Sequence, residues 1–236
     1  MLKVRIFTLY PDLFPGPLDS GIYKKAREKN LWSLEIVNIR NFAIDKHGTV
    51  DDTPFGGGSG MLMRADILAL AMDKKINYKE DQRNIYLSPK GKKLDQKTIN
   101  LISKVGTINI ICGHFEGVDQ RLLETRNIEE ISLGDYILSG GESASYVFLD
   151  ALLRLIPGVL GNKKSTQEES FYNSLLEYPQ YTKPQKWEEK KVPDVLLSGD
   201  HAKIKGWRLS QSEAITQRKR PDLWEQYIKK NKNEKY

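Results

Sequence analysis

Three short glycine-bearing segments are where this sequence has the means to hold a ligand. They are Tyr86-Leu87-Ser88-Pro89-Lys90-Gly91, Cys112-Gly113-His114-Phe115-Glu116-Gly117, and Ser132-Leu133-Gly134-Asp135-Tyr136 running on to Ser139-Gly140-Gly141-Glu142. Each follows a strand-like run, and glycine lets a backbone turn sharply and approach a ligand closely. Loops at the carboxyl ends of parallel strands are where open α/β sheets bind ligands. One such loop reads equally well as an ordinary tight turn; three on successive strands point to a pocket. Other nucleotide fingerprints fail. Gly56-Gly57-Gly58-Ser59-Gly60 has Met61 where a dinucleotide motif needs glycine, and Gly91-Lys92 is followed by Lys93 instead of Ser or Thr. The single Cys112 and three scattered histidines offer neither a disulfide framework nor metal-ligand spacing, so no metal ligand is assigned.

The elements that must position these loops are legible in part. Val4–Thr8 and Leu34–Ile39 alternate like half-buried strands, while Asn84–Ser88 and Ile108–Cys112 are short apolar runs of the kind buried in a parallel sheet. A further strand is predicted at Ile128–Ser132. Apolar spacing predicts helices over Leu94–Val105, with Asp95 as N-cap, around Val118–Thr125, and over Glu142–Leu155. Strands alternating with helices define an α/β fold with a largely parallel sheet. After Leu160 the pattern changes: Gly161–Ser174 is polar and reads as a linker. A proline-broken stretch follows, then helices starting near Asp200 and after Pro221.

Charge is distributed unevenly. The 236 residues carry 37 basic and 31 acidic side chains, a net +6. Tyr181–Tyr236 holds 14 of the basic and 8 of the acidic ones, so the first 180 residues balance and the last 56 hold the whole excess. Such asymmetry suits a polyanionic partner, nucleic acid first, with a solvated basic tail as the alternative. No apolar run approaches the roughly 18 to 20 residues that span a bilayer, and no secretion signal pattern is present. The expected location is cytoplasmic, with no membrane association.

Several long motifs, in order along nearly the whole chain, resemble the bacterial tRNA (guanine-N1)-methyltransferases, the TrmD family of knotted SPOUT methyltransferases. They are Val50–Met63, Tyr86–Gln96, Cys112–Arg121, Ser132–Glu142, Arg154–Gly161, Tyr181–Pro184 and Val195–Arg208. The resemblance implies a SPOUT-type parallel sheet with a deep trefoil knot over residues 1–160, binding S-adenosylmethionine. It also implies a linker over 161–174 and a small basic helical tRNA-binding domain over 175–236. The implied assembly is a homodimer with active sites at the subunit interface. The implied reaction methylates N1 of guanosine at position 37 of tRNA, and the family's activity is associated with Mg2+.

By the same resemblance, Tyr86, Leu87, Ser88, Pro89, Gly113, Glu116, Gly117, Ser132, Leu133, Gly134, Tyr136, Ile137, Leu138, Gly140 and Gly141 cradle the cofactor. Glu116 stands near its cationic end; capping the helix that follows is its alternative role. Arg154 partners the guanine O6, where spacing alone would make it an i,i+4 partner of Asp150. Gly57 and Gly58 help hold the base. Lys203, Lys205, Arg208, Arg218, Lys219 and Arg220 are the phosphate contacts. The general base is Glu169, where the family places Asp, with Glu168 as the alternative carboxylate. Glu177 likewise replaces a family Asp, and His114 a family Arg. Two other readings remain at this point: a knotted methyltransferase with another RNA target, and an RNA-binding protein that has lost catalysis.

Overall fold

β-Branched and apolar runs in the first two-thirds of the chain assemble into one sheet. In the computed structural model, which describes residues 1–161 and 169–233, the chain forms two units, Met1–Gly161 and Asn162–Tyr236. The first contains β1 (Leu2–Thr8), α1 (Gly21–Glu28), β2 (Trp32–Asn38), a short pair β3 (Asp51–Asp52) and β4 (Leu62–Met63), and α2 (Ala65–Lys75). It continues with β5 (Gln82–Lys93), α3 (Gln96–Ile102), β6 (Thr107–Ile111), α4 (Gln120–Thr125), β7 (Ile128–Ser132) and α5 (Gly141–Leu153). The main sheet has the order β2-β1-β6-β5-β7 and every pairing in it is parallel. The expected α/β class and parallel sheet are therefore present.

Both faces of the sheet are covered, as parallel sheets require. On one, Val4, Ile6, Ile85, Ile108, Ile110 and Ile131 pack with Ile99 and Ile102 of α3 and Phe148, Leu149 and Leu152 of α5. On the other, Phe7, Val37, Ile111 and Ile128 pack with Ile67, Leu68, Ala71 and Met72 of α2 and Leu122 and Leu123 of α4. Helix α2 was not expected; its apolar residues come in adjacent pairs one turn apart, a pattern the strand-and-loop reading passed over. Helix α5 stops at Leu153, with Arg154 as its C-cap, and Val147 is 56% exposed although its spacing predicts burial. Ser145, Leu149 and Leu153 take the inward positions instead.

A polar ladder fixes the register of the strands. Arg5 donates to Glu35 and to the Asn109 Oδ1, each at 2.8 Å, and the Asn109 amide donates to Asn84 and Gln82, each at 2.9 Å. Asn109 is fully buried, so slipping any strand by one residue would strand polar groups in the core.

Helix α3 shows how local chemistry sets an element. The Asp95 side chain accepts from the Thr98 N–H at 2.7 Å, and Leu94 packs into the same cluster as Ile99, as in a hydrophobic staple. The Thr98 hydroxyl and N–H hold the Asp95 carboxyl below the usual range. Asp95→Ala is expected to cost about 1 kcal/mol at neutral pH. Because the folded value is depressed, the carboxylate's contribution is complete above about pH 3.9. It is lost as pH falls through the folded value, so urea titrations from pH 7 to 2.5 should show the two proteins converging in stability.

The second unit contains a hairpin, β8 (Lys186–Trp187) and β9 (Lys190–Lys191), then α6 (Asp194–Leu197), α7 (His201–Lys219) and α8 (Pro221–Asn233). The hairpin lies in the proline-broken stretch ahead of the helices, where no strand is expected. Asp200 caps α7 by accepting from the N–H groups of Ala202 and Lys203, both at 3.1 Å. Thr216, buried on α7, accepts from the Leu176 N–H at 2.8 Å, and Tyr227 of α8 donates to Glu213 at 2.7 Å.

Candidate active site

The three glycine loops meet. Between Leu87 and Lys92, both paired with Ile131, β5 leaves the sheet over Ser88–Gly91 and rejoins it. A Cβ on Gly91 would stand 2.4 Å from the backbone of Glu130 and Ile131, so the return needs glycine. Gly113 and Gly117 pass close to Tyr86: Cβ atoms there would lie 2.5 Å from its ring and 2.9 Å from its hydroxyl, respectively. Gly141, which accepts no substituent beside Cys112, opens α5 and donates its N–H to the Gly113 carbonyl at 2.9 Å.

Together these loops line a cavity of about 390 Å3 at the carboxyl ends of β5, β6 and β7. All the residues expected to cradle the cofactor, from Tyr86–Pro89 through Gly113, Glu116 and Gly117 to Ser132–Gly134, Tyr136–Leu138, Gly140 and Gly141, border it. The wall also includes Gln120, Leu123 and Glu130, which sequence reasoning missed because they lie outside the glycine segments. Burial, and then the nearby Glu130 charge, push the Tyr86 phenol above its ordinary value, so its ring presents a neutral surface at physiological pH.

A buried carboxyl group stands behind the glycines. Glu142, 4% exposed in the first turn of α5, accepts from the Thr8 hydroxyl at 2.5 Å. His114 Nε2 lies 2.7 Å from its other oxygen. Beside it, burial and then the Glu142 charge raise the Cys112 thiol far above its ordinary value, leaving it unreactive. The network ties the end of β1, the loop after β6 and the start of α5 into one support for the cavity floor. His114 thus has a place, which its residue type alone did not reveal.

Two substitutions separate rigid from yielding parts of this floor. A Cβ on Gly141 would lie 2.6 Å from the Cys112 Cα, backbone that has no room to shift. On Gly140 it would meet only side-chain atoms of His114 and Glu142. Gly141→Ala is therefore expected to lower stability by about 1–3 kcal/mol, with Gly140→Ala losing less stability while still disturbing the cavity. Thermal melts of both variants check the order.

Glu116 does not cap the next helix. Asp119 does, accepting from the Arg121 N–H at 2.9 Å. Glu116 is exposed at the cavity wall, donates its N–H to the Met61 carbonyl at 2.9 Å, and has its side chain against Gly60. The Gly56–Gly60 loop, which includes Gly57 and Gly58 and follows a 98% exposed Phe55, therefore adjoins the cavity through Glu116.

Arg154 is elsewhere. It ends α5, whose first residue borders the cavity, so at about 1.5 Å per residue the two ends are roughly 20 Å apart. Asp150, its proposed i,i+4 neighbour, accepts from Tyr23. Glu169 belongs to the second unit, next to a tight turn in which Phe171 donates to the Leu175 carbonyl at 2.7 Å and the Glu177 N–H donates to Ser170 at 3.0 Å. The alternative base, Glu168, lies outside the described residues.

Among the basic candidates, Arg220 makes a two-pronged pair with Asp222, Lys203 reaches Asp200 at 3.2 Å, and Arg208 stacks over Tyr178 with 4.8 Å to the ring centre. Lys205, Arg218 and Lys219 are exposed on α7. Among the described residues, no group of three or more His, Cys, Asp or Glu is placed to hold a metal ion, so the Mg2+ expectation finds no ligand set. No described helix is long and apolar enough to cross a membrane.

A parallel α/β sheet whose strand-end glycine loops surround one cavity is the arrangement in which open α/β proteins hold nucleotides and cofactors. Residues 2–226 match the family model for tRNA (Guanine-1)-methyltransferase TrmD. The chain is 68% identical over 229 residues to a tRNA (guanine-N(1)-)-methyltransferase of Pelagibacter ubique, covering 97% of this chain and all of that one. Proteins with the same name from Zymomonas mobilis and Rhodospirillum rubrum are 53% and 49% identical, over 95% and 96% of this chain and 90% and 94% of theirs. The chain belongs to the TrmD family of tRNA (guanine-N1)-methyltransferases.

Proposed function

We propose that this methyltransferase modifies N1 of guanosine at position 37 of tRNA with S-adenosylmethionine as donor, acting in the cytoplasm as a homodimer. The observation that carries the reading is the convergence of three strand-end glycine loops on one cavity in a chain of this family. The cavity fits the donor: glycines at 113, 140 and 141 pack closer to Tyr86, to His114 and Glu142, and to Cys112 than any Cβ would allow, which holds the loops in place around it, and Leu133–Gly134, Tyr136–Leu138 and Gly140–Gly141 line one wall. When bound, S-adenosylmethionine supplies an electrophilic methyl group on a sulfonium. In this reading the loops follow the trefoil path of the family.

Four tasks fall to the chain's own residues. The cradle holds and orients the donor. Glu116, an exposed carboxylate at the cavity wall, favours positive charge nearby. Arg154 donates to the guanine O6, where negative charge develops as N1 loses its proton. Glu169 accepts that proton. Since Arg154 lies ten residues, about 15 Å, along α5 beyond Ala144, which lines the cavity of its own subunit, it serves the cavity of the other one. That geometry supports active sites shared between subunits.

The test is methylation of a tRNA transcript carrying guanosine at position 37, read by nucleoside mass spectrometry, beside the same transcript with adenosine there. N1-methylguanosine in the first sample alone is expected. Methylation at another position would redirect the reading to a different RNA target.

A further inference from the structure

The hairpin of β8 and β9 is built against its own stability. Its register sets Lys186 directly opposite Lys191, two like charges whose repulsion disfavours the pairing. The other rung pairs Trp187 with Lys190. At the turn Glu188 adopts φ +51°, a left-handed conformation strained for a side chain that large. All residues from 181 to 191 are exposed, so no buried face repays this, and two-stranded hairpins are marginal alone. The ion pair of Lys186 with Glu189, 3.5 Å apart on the surface, contributes little. Trp187 nevertheless stays 65% exposed. Local choices that conflict with stability mark a surface shaped for a partner.

We infer that this hairpin is a stacking platform for an unpaired base of the bound tRNA. An exposed indole offers a π-face that any base can cover, and lysines on both rungs meet the flanking phosphates. A polyanion relieves the repulsion between Lys186 and Lys191, which an apolar partner would leave in place. RNA loops display unstacked bases where duplexes do not. The inference rests on the proposed function for the identity of the RNA and adds a contact surface to it.

The experiment measures binding of full-length wild type, Trp187→Ala and Trp187→Phe to a tRNA transcript and to a fully paired RNA duplex, across a salt series. Trp187→Ala should weaken tRNA binding about tenfold, Trp187→Phe should stay near wild type, and duplex binding should be equal for all three. S-adenosylmethionine affinity should be unchanged, showing that the first unit is intact. Lys186→Ala and Lys191→Ala should each lower the slope of log affinity against log salt by about 0.7, whereas Trp187→Ala should leave it alone. Equal tRNA affinity for Trp187→Ala and wild type overturns the inference. So does an equal loss on duplex, or a change in sedimentation showing that the face is covered by a second copy. If wild type binds no tRNA, the proposed function falls as well; if wild type binds and methylates tRNA while Trp187→Ala matches it, only the platform falls.

Discussion

Glu169→Ala is expected to reduce methyl transfer by roughly a hundred- to ten-thousand-fold, the usual contribution of a positioned general base, while S-adenosylmethionine binding stays at wild-type strength. The separation follows from placement: the cofactor cradle is built from the first unit, and Glu169 lies in the second. The guanine N1 must lose a proton, and a carboxylate aimed at it is the group the proposed mechanism provides. Single-turnover methylation and calorimetric titration of the donor measure the two effects separately. Glu169→Asp, the shorter carboxylate usual in the family, should keep substantial activity, and Glu169→Gln should not. Near-wild-type turnover in Glu169→Ala would transfer the role to another group, Glu168 first.

Arg154→Ala should lower turnover by about a hundred- to a thousand-fold, the loss typical of removing one donor to a developing oxyanion. Arg154→Lys should recover only part, because an ammonium lacks the planar fork of donors. The more searching result comes from mixing subunits. Gly140→Ala carries its defect at the cavity and Arg154→Ala at the far end of α5. If each active site combines the cavity of one subunit with the arginine of the other, a mixed dimer has one site with both parts intact. Two nearly inactive proteins, co-refolded in equal amounts, should then regain roughly a quarter of wild-type activity, since half the dimers are mixed and each has one good site. If Arg154 served its own cavity, every site in the mixed dimer would carry one defect and no activity would return.

The sequence revealed those features that depend on neighbouring residues. Asp95 and Asp200 mark helix starts because a capping side chain satisfies N–H groups two or three residues ahead. Apolar runs at Ile85–Leu87 and Ile108–Cys112 read as buried strands because both sheet faces are covered. Helix α2 also carries a local signal, Ile67, Leu68, Ala71 and Met72 recurring one turn apart, which a reading centred on strands and glycine loops leaves unused. The hairpin escaped because two-residue strands are too short for any period. Glu116 kept two roles until the structure showed Asp119 at the helix start.

The sequence alone determined the five strands of the main sheet, the helices α3, α4, α5, α7 and α8, the three glycine loops, the unequal division of charge and the family resemblance. Each is written in local composition, periodicity or motif. Tertiary structure decided that β6 lies between β1 and β5, which brings the three loops around one cavity. It also decided that Thr8 and His114 meet Glu142 across 134 and 28 residues, and that Arg154 stands at the end of α5 away from the cavity. Such juxtapositions follow from strand order and helix length, which put residues remote in the chain side by side and residues in one helix far apart.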